Sequence, residues 1–312
     1  MDYITLIQAK RQLKLSASES SDDQIIQDWI TFSSKLIELW KGRVYYPYVK
    51  TVLYNSPINE LSSFGTFDSF QSSALQQVYA PDKQILHLKN DLLEVIELLN
   101  GDGVEIDTFY LEPVSSYPKN RITLFKDAAG NTLRWLEDDN GNSLQAISLK
   151  ALWGYVSNYP DCFVGSGDTT EDAPLLAADT EIDVNDADGV ADDLQSPRFQ
   201  AGQLLRLETG GNYEFLLCKS VNTTTNKLEV VRAQKGTTAL VSVPQNTQIK
   251  IFRPNADIVQ MCIRLTQWRY RQKDSDDFAR TYNLGTGIIS NPSALPADVK
   301  LILGERGKFK IS

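Results

Sequence analysis

The chain has 312 residues, 42% of them hydrophobic and 23% charged, an ordinary balance for a globular protein with room for two cores. Its net charge of −9 is a poor basis for gripping nucleic acid, which relies on neutralising phosphates; it serves solubility, or lines a passage where DNA must slide without sticking. No apolar run approaches the roughly 20 residues of a membrane-spanning helix, and Met1-Asp2-Tyr3-Ile4-Thr5 lacks a basic and then apolar leader, so synthesis in a cytoplasm is expected.

In chain order, Thr5 caps a short helix, Leu6–Leu15, with apolar Leu6, Ala9 and Leu13 and basic Lys10, Arg11 and Lys14. A polar loop, Ser16–Ser21, follows. Ser21-Asp22-Asp23-Gln24 fits a capping box and opens a second helix. Its Ile25/Ile26, Trp29/Ile30, Leu36/Ile37 and Trp40 form a broad buried stripe, and Gly42 stands where a left-handed cap belongs. Val49–Tyr54 reads as a strand and 55–80 as a long loop. Leu92–Leu99 fits helix or strand, but the turn signal Asn100-Gly101-Asp102-Gly103 favours a hairpin with Val104–Leu111. Further hairpin turns fall at Ala129–Asn131 and Asn140–Asn142, and Ala146–Tyr155 is a strand with aromatics at its end.

Gly165–Asp172 has the composition of a linker. From Pro174 to Arg253 the signals are short strands, among them Gln203–Glu208, Tyr213–Cys218 and Lys227–Arg232, which point to a small barrel or sandwich. Helical sequence lies on both sides, so this piece reads as an insertion. Asp257–Asp274 then repeats Ile258, Cys262, Leu265 and Trp268 as one apolar stripe, with Arg264, Arg269, Tyr270, Arg271 and Lys273 on other faces. It is either a domain helix with a solvated basic face or a helix that packs on its own domain and on a neighbouring subunit. Ser275–Ser293 reads as an extended arm, Leu295–Leu303 as one or two helical turns, and Gly304–Ser312 as a basic end.

These elements predict an α+β class. N-terminal helices and a long C-terminal helix form a helical core, which carries a large inserted β-rich region and an extended C-terminal arm. The expected divisions are 1–164 for the helical core with a first β region, 165–253 for the inserted β domain, and 254–312 for the core helix and arm.

Little in the chain points to chemistry. Cys162, Cys218 and Cys262 are scattered and lack a CxxC partner, so they read as reduced, buried residues. The lone histidine, His87, lies in a strand-like run and leaves no Ser–His or Cys–His pair and no zinc site. The acidic run Asp183–Asp193 fails as a calcium loop, because placing Gly189 at the glycine position puts Val184 and Gln195 at ligand positions. Gly101-Asp102-Gly103 and Gly165-Ser166-Gly167 read as turns rather than phosphate loops. Asp138-Asp139 and Asp192-Asp193 fall in turn-like segments, with nothing to hold them across a cleft. No catalytic residue, cofactor or metal is expected. A carbohydrate- or surface-binding tail or capsid module is the competing reading, with Trp135, Trp153 and Tyr155 as aromatic platforms, although aromatics in strands more often belong to a core.

Several segments, in order, resemble the gp6-like head–tail connector (adaptor) proteins of tailed bacteriophages. They are Met1–Leu15, Asp22–Ile26, Ile37–Arg43, Ala146–Tyr155, Pro197–Arg206, Arg253–Gln260 and Leu295–Leu303. The resemblance implies a structural virion protein of the neck, assembled in the host cytoplasm as a ring, a dodecamer by family analogy. Its partners would be the portal protein, its own copies, a tail terminator, stopper or other neck protein, and genomic DNA passing through the lumen without sequence-specific binding. The helical part would be the connector core. Arg264, Arg271, Arg306, Lys308, Phe309, Lys310 and Ile311 would meet the portal or a neighbouring subunit. The chain is longer than compact family members, and the β material between 44 and 253 is an elaboration.

Overall fold

A computed structural model describes residues 1–57, 84–273, 281–282, 289–290 and 299–300. Two compact units emerge from the packing, one formed by Met1–Tyr46 with Pro160–Ser312, the other by Pro47–Tyr159. The first β region thus stands as a unit of its own, while the later one packs with the helices.

In the first unit, α1 (Leu6–Leu13) starts from a reciprocal capping box. The Gln8 amide donates to Thr5 Oγ1 at 3.2 Å and the Thr5 amide to Gln8 Oε1 at 3.0 Å. α2 (Asp23–Lys41) ends on Gly42, whose φ of 63° is left-handed as expected. Its start departs from the predicted capping box: Asp22 makes no side-chain cap bond. The carboxylate is drawn elsewhere, accepting from Tyr270 Oη at 2.8 Å and pairing with Lys273. α2 buries Ile26, Ile30, Ser33, Ser34 and Ile37, while Ile25 of the predicted stripe is exposed.

The second unit holds one antiparallel sheet. Its strands are β1 (Tyr48–Tyr54), β2 (Ile85–Leu99), β3 (Phe109–Glu112), β4 (Lys119–Leu124) and β5 (Ile147–Trp153), in the order β1-β5-β2-β4-β3. Leu92–Leu99 is strand, and the Asn100–Gly103 turn closes with Gly103 N donating to Asn100 O at 2.9 Å. Beyond a single bridge, Leu99 to Glu105, the returning chain leaves β2 and pairs as β3 with β4. The other predicted turns are present: the Asp127 amide donates to Asn131 O at 3.0 Å, and the Asp138 amide to Asn142 O at 2.9 Å. Leu92, Leu98, Ile122, Leu124, Trp135, Leu149 and Trp153 fill the core.

Back in the first unit, β6 (Phe163–Thr169), β7 (Leu175–Leu176), β8 (Glu181–Asp183), β9 (Leu204–Thr209), β10 (Asn212–Asn222), β11 (Lys227–Val231), β12 (Ser242–Val243) and β13 (Gln248–Phe252) follow. Six of them form an antiparallel half-barrel in the order β6-β13-β9-β10-β11-β8, and β7 pairs with β12. Leu175, Ile182, Leu205, Leu216, Leu228, Val243 and Ile251, from seven different strands, meet in one core. The expected linker at Gly165–Asp172 is largely strand β6. Across the half-barrel, Glu214 is fully buried and Arg232 nearly so; Arg232 Nη2 lies 2.7 Å from Glu214 Oε2 and its Nε 2.8 Å from Oε1. Glu214 also accepts the amides of Ala233 and Leu240, and Arg232 donates to Leu176 O, so one pair ties four segments together.

α3 (Ala256–Tyr270) buries Ile258, Met261, Cys262, Ile263, Leu265 and Thr266, while Trp268 is only half-buried. Two short strands, β14 (Thr281–Tyr282) and β15 (Ile289–Ser290), pair in the segment expected to be an arm; most of that arm lies outside the described residues.

The predicted α+β class with a helical core is overturned. The chain is mainly β, 34% strand against 20% helix, and α3 is an ordinary helix of 15 residues rather than a long one. The periodicity at both ends is real, but α3 stops where Tyr270 and Lys273 turn onto Asp22. The short strands between the ends outweigh the helices.

Glu214→Ala should lower stability by about 3–5 kcal/mol, because it strands the buried Arg232 guanidinium. Chemical denaturation checks this; a loss under about 1 kcal/mol would show that water or other acceptors replace the carboxylate.

Candidate functional site

Within the first unit, the N-terminal segment Met1–Thr5, the start of α3 and the half-barrel bound a cleft of about 370 Å³. Its walls include Asp2, Gln8, Asp193, Gln203, Arg253 and Gln260. Thr5 Oγ1 donates to Gln200 Oε1, and Arg11 Nη2 donates to Ser196 O at 2.9 Å, so α1 is fastened to the loop ahead of β9. Arg253 Nε donates to Asp193 Oδ2 at 2.7 Å. Burial raises the Asp193 pKa, but the Arg253 hydrogen bond and charge outweigh it and leave the carboxyl below its ordinary value. The cleft has the chemistry of a packing seam: a neutralised ion pair and amide side chains, with no nucleophile beside a base.

The acidic run has a structural explanation that its sequence does not display. Asp168 in β6 is buried and accepts the amides of Thr169 at 2.8 Å, Asn185 at 3.2 Å and Asp186 at 2.9 Å. Arg198 spans this loop, with Nη1 3.4 Å from Asp168 Oδ2 and 2.8 Å from Gly167 O, and Nη2 3.2 Å from Asp186 Oδ2. A Cβ on Gly189 would lie 2.1 Å from Arg198 Nη2, and one on Gly165 would lie 2.0 Å from Asp192 Oδ2. The glycines that invite a loop or calcium reading are there because charged side chains cross over them. Among the described residues no group of three or more His, Cys, Asp or Glu is arranged to hold a metal ion.

Arg264 and Arg271 are exposed on or just beyond α3. Arg306, Lys308, Phe309, Lys310 and Ile311 lie outside the described residues. Trp135 and Trp153 are fully buried core residues, and Trp153 Nε1 donates to Lys50 O at 2.8 Å; they offer no platform. Tyr155 is half-buried, and His87 is exposed on β2. Among the described residues of the second unit, Tyr110 and Phe125 form an exposed aromatic pair, edge to face at 5.7 Å, which sequence reading did not single out. No helix among the described residues is long and apolar enough to cross a membrane.

The three cysteines are free and buried, and burial pushes each thiol up to about 12. They are unsuited to nucleophilic work, which needs the thiolate.

No family model matches the chain, and no curated protein matches it.

A raised thiol pKa means that the native state keeps a proton that the unfolded chain gives up from about pH 9. Its stabilising contribution is complete below that value and is lost as pH climbs toward 12. Denaturation at a series of pH values should give a shallower alkaline decline for Cys218→Ala than for the parent chain. Parallel declines would mean that the Cys218 thiol ionises alike in both states.

Proposed function

We propose that the chain is a structural virion protein of a tailed bacteriophage, a head-to-tail adaptor. It forms a ring beneath the portal, extends the DNA channel and gives the tail its attachment surface. One observation supports the reading: three of the segments that hold the resemblance, Met1–Leu15, Pro197–Arg206 and Arg253–Gln260, far apart in sequence, pack together in the first unit, while Ala146–Tyr155 lies in the second. Met1–Leu15 reaches Pro197–Arg206 through Thr5 and Gln200. Arg253–Gln260 lines the same cleft as Met1–Thr5 and Gln203, and leads into α3, whose Ile258 is buried.

A ring requires two unlike faces on each copy, one meeting the other around the circle. We assign Arg264, Arg271 and the terminal Arg306, Lys308, Phe309, Lys310 and Ile311 to the contact with the portal or the neighbouring subunit. The net charge of −9 suits a lumen through which DNA phosphates pass without being held. A tail terminator, stopper or other neck protein would take the opposite end, in the virion neck.

Electron microscopy of the purified chain, alone and mixed with its cognate portal, tests the reading. Closed rings with a central hole are expected in at least the mixed sample, and their symmetry gives the copy number. Removing Gly304–Ser312 should weaken portal docking and leave the melting temperature unchanged. Absence of rings in both samples would sink the adaptor reading; undiminished docking by the truncated chain would remove the terminal residues from it.

A further inference from the structure

α2 carries more apolar surface than its own unit covers. Beside the buried Ile26, Ile30 and Ile37 runs a second row: Ile25, Trp29, Phe32, Leu36 and Leu39. The steps alternate four and three, the spacing of a coiled-coil seam. Ile25 is 40% exposed, Phe32 44% and Leu39 70%, with Trp29 and Leu36 half-buried between them. Single exposed apolar residues need no account, whereas a continuous row marks a contact surface.

The borders of the row differ. Residues at the end of α3 line one side: the Tyr270 ring meets Trp29 edge-on at 6.0 Å, and the Arg269 guanidinium lies 4.8 Å from the Phe32 ring. The other border is polar and carries Asp28 and Lys35, both exposed and one heptad apart with opposite charges. Among the described residues Asp28 accepts only a neutral donor from its own helix, Gln24 Nε2 at 3.0 Å. Lys35 forms no ion pair among the described residues.

We propose that this row is a self-pairing surface, on which α2 of a second copy lies antiparallel about a twofold axis. Trp29 then packs against Phe32 of the second copy, and Ile25 against its Leu36. In that register Asp28 faces Lys35 of the second copy while Lys35 faces its Asp28, so one twofold operation satisfies both charges. A parallel pairing would set the same border against Ser33 of the second copy, a residue already buried in its own unit, and would leave both charges unmet. The contact is isologous and closes as a pair, unlike the head-to-tail contacts of a ring, so it stands apart from the adaptor reading.

Sedimentation equilibrium of the full chain over a concentration series tests the pairing. The expected behaviour is a monomer–dimer equilibrium that approaches twice the 35.0 kDa monomer mass. Phe32→Glu should abolish the dimer with unchanged circular dichroism. Asp28→Lys and Lys35→Asp should each weaken it about tenfold, ~1.4 kcal/mol, and the double exchange should restore it. A monomer at every concentration, a dimer indifferent to Phe32→Glu, or a double exchange no tighter than either single one overturns the proposal. So does a multimer larger than a dimer that Phe32→Glu dissolves, since it would assign α2 to a head-to-tail contact.

Discussion

The first unit depends on the short segment Tyr3-Ile4-Thr5, which is bonded to α2, to Tyr45 and to the loop ahead of β9. The Tyr3 amide donates to Ser34 Oγ in α2 at 3.1 Å, and its hydroxyl donates to Glu38 Oε1 at 2.8 Å while accepting the Tyr45 amide at 3.1 Å. Two residues on, Thr5 caps α1 and donates to Gln200 ahead of β9. All three residues are buried, and burial together with the Glu38 charge holds the Tyr3 hydroxyl far above its ordinary pKa, firmly a donor. A backbone that crosses from helix to sheet cannot satisfy its polar groups through one ladder. These side chains supply the partners that α1, α2 and the half-barrel would otherwise lack.

With that strap in place, the rest of the packing follows. α3 packs on α2 with Ile258, Cys262 and Leu265 buried, and its small polar side chains meet those of α2: Thr266 Oγ1 donates to Ser33 Oγ at 3.4 Å, and Ser34 Oγ lies 3.5 Å from Cys262 Sγ. The helices are held at both ends. Gln267 Nε2 donates to Gln12 O at the close of α1, and Tyr270 and Lys273 engage Asp22 at the start of α2. Burial of the apolar faces drives this association, while the buried polar groups fix one register, since each would be left unsatisfied in another.

What the sequence reveals divides by distance along the chain. The Thr5 cap of α1, the αL cap at Gly42, the turns at Asn100–Gly103, Asp127–Asn131 and Asp138–Asn142, and strands β1 and β5 are all local events, and local residues announce them. The ion pairs that organise the half-barrel are not local. Asp168 with Arg198 and Glu214 with Arg232 join residues 30 and 18 positions apart, with no motif at either end. Without them Gly165 and Gly189 read as loop glycines, and a strand reads as a linker. The fold class failed for a related reason. Amphipathic helices at both ends give a strong periodic signal, while strands as short as β7, β8 and β12 give almost none. Of the predicted contact residues, Arg264 and Arg271 were legible only as positions on a helix, because a surface residue's role depends on a partner that its own sequence does not contain.

α2 joins these two levels. A helix that only closed a core would need one apolar stripe, and Ile26, Ile30 and Ile37 already provide it, with Ser33 and Ser34 between them. The second row lies mostly outside that stripe, and Ile25, Phe32 and Leu39 stay exposed in the isolated fold. Exposed leucine and phenylalanine carry a cost in solubility and unwanted association, which the net charge of −9 offsets by keeping copies apart. Long-range repulsion and short-range apolar attraction then act together as a filter. Copies meet productively only where opposite charges are brought into register, and Asp28 and Lys35 flank a helical face where the apolar spacing allows it. The same helix therefore uses one face to define the unit and another to define what the unit may touch.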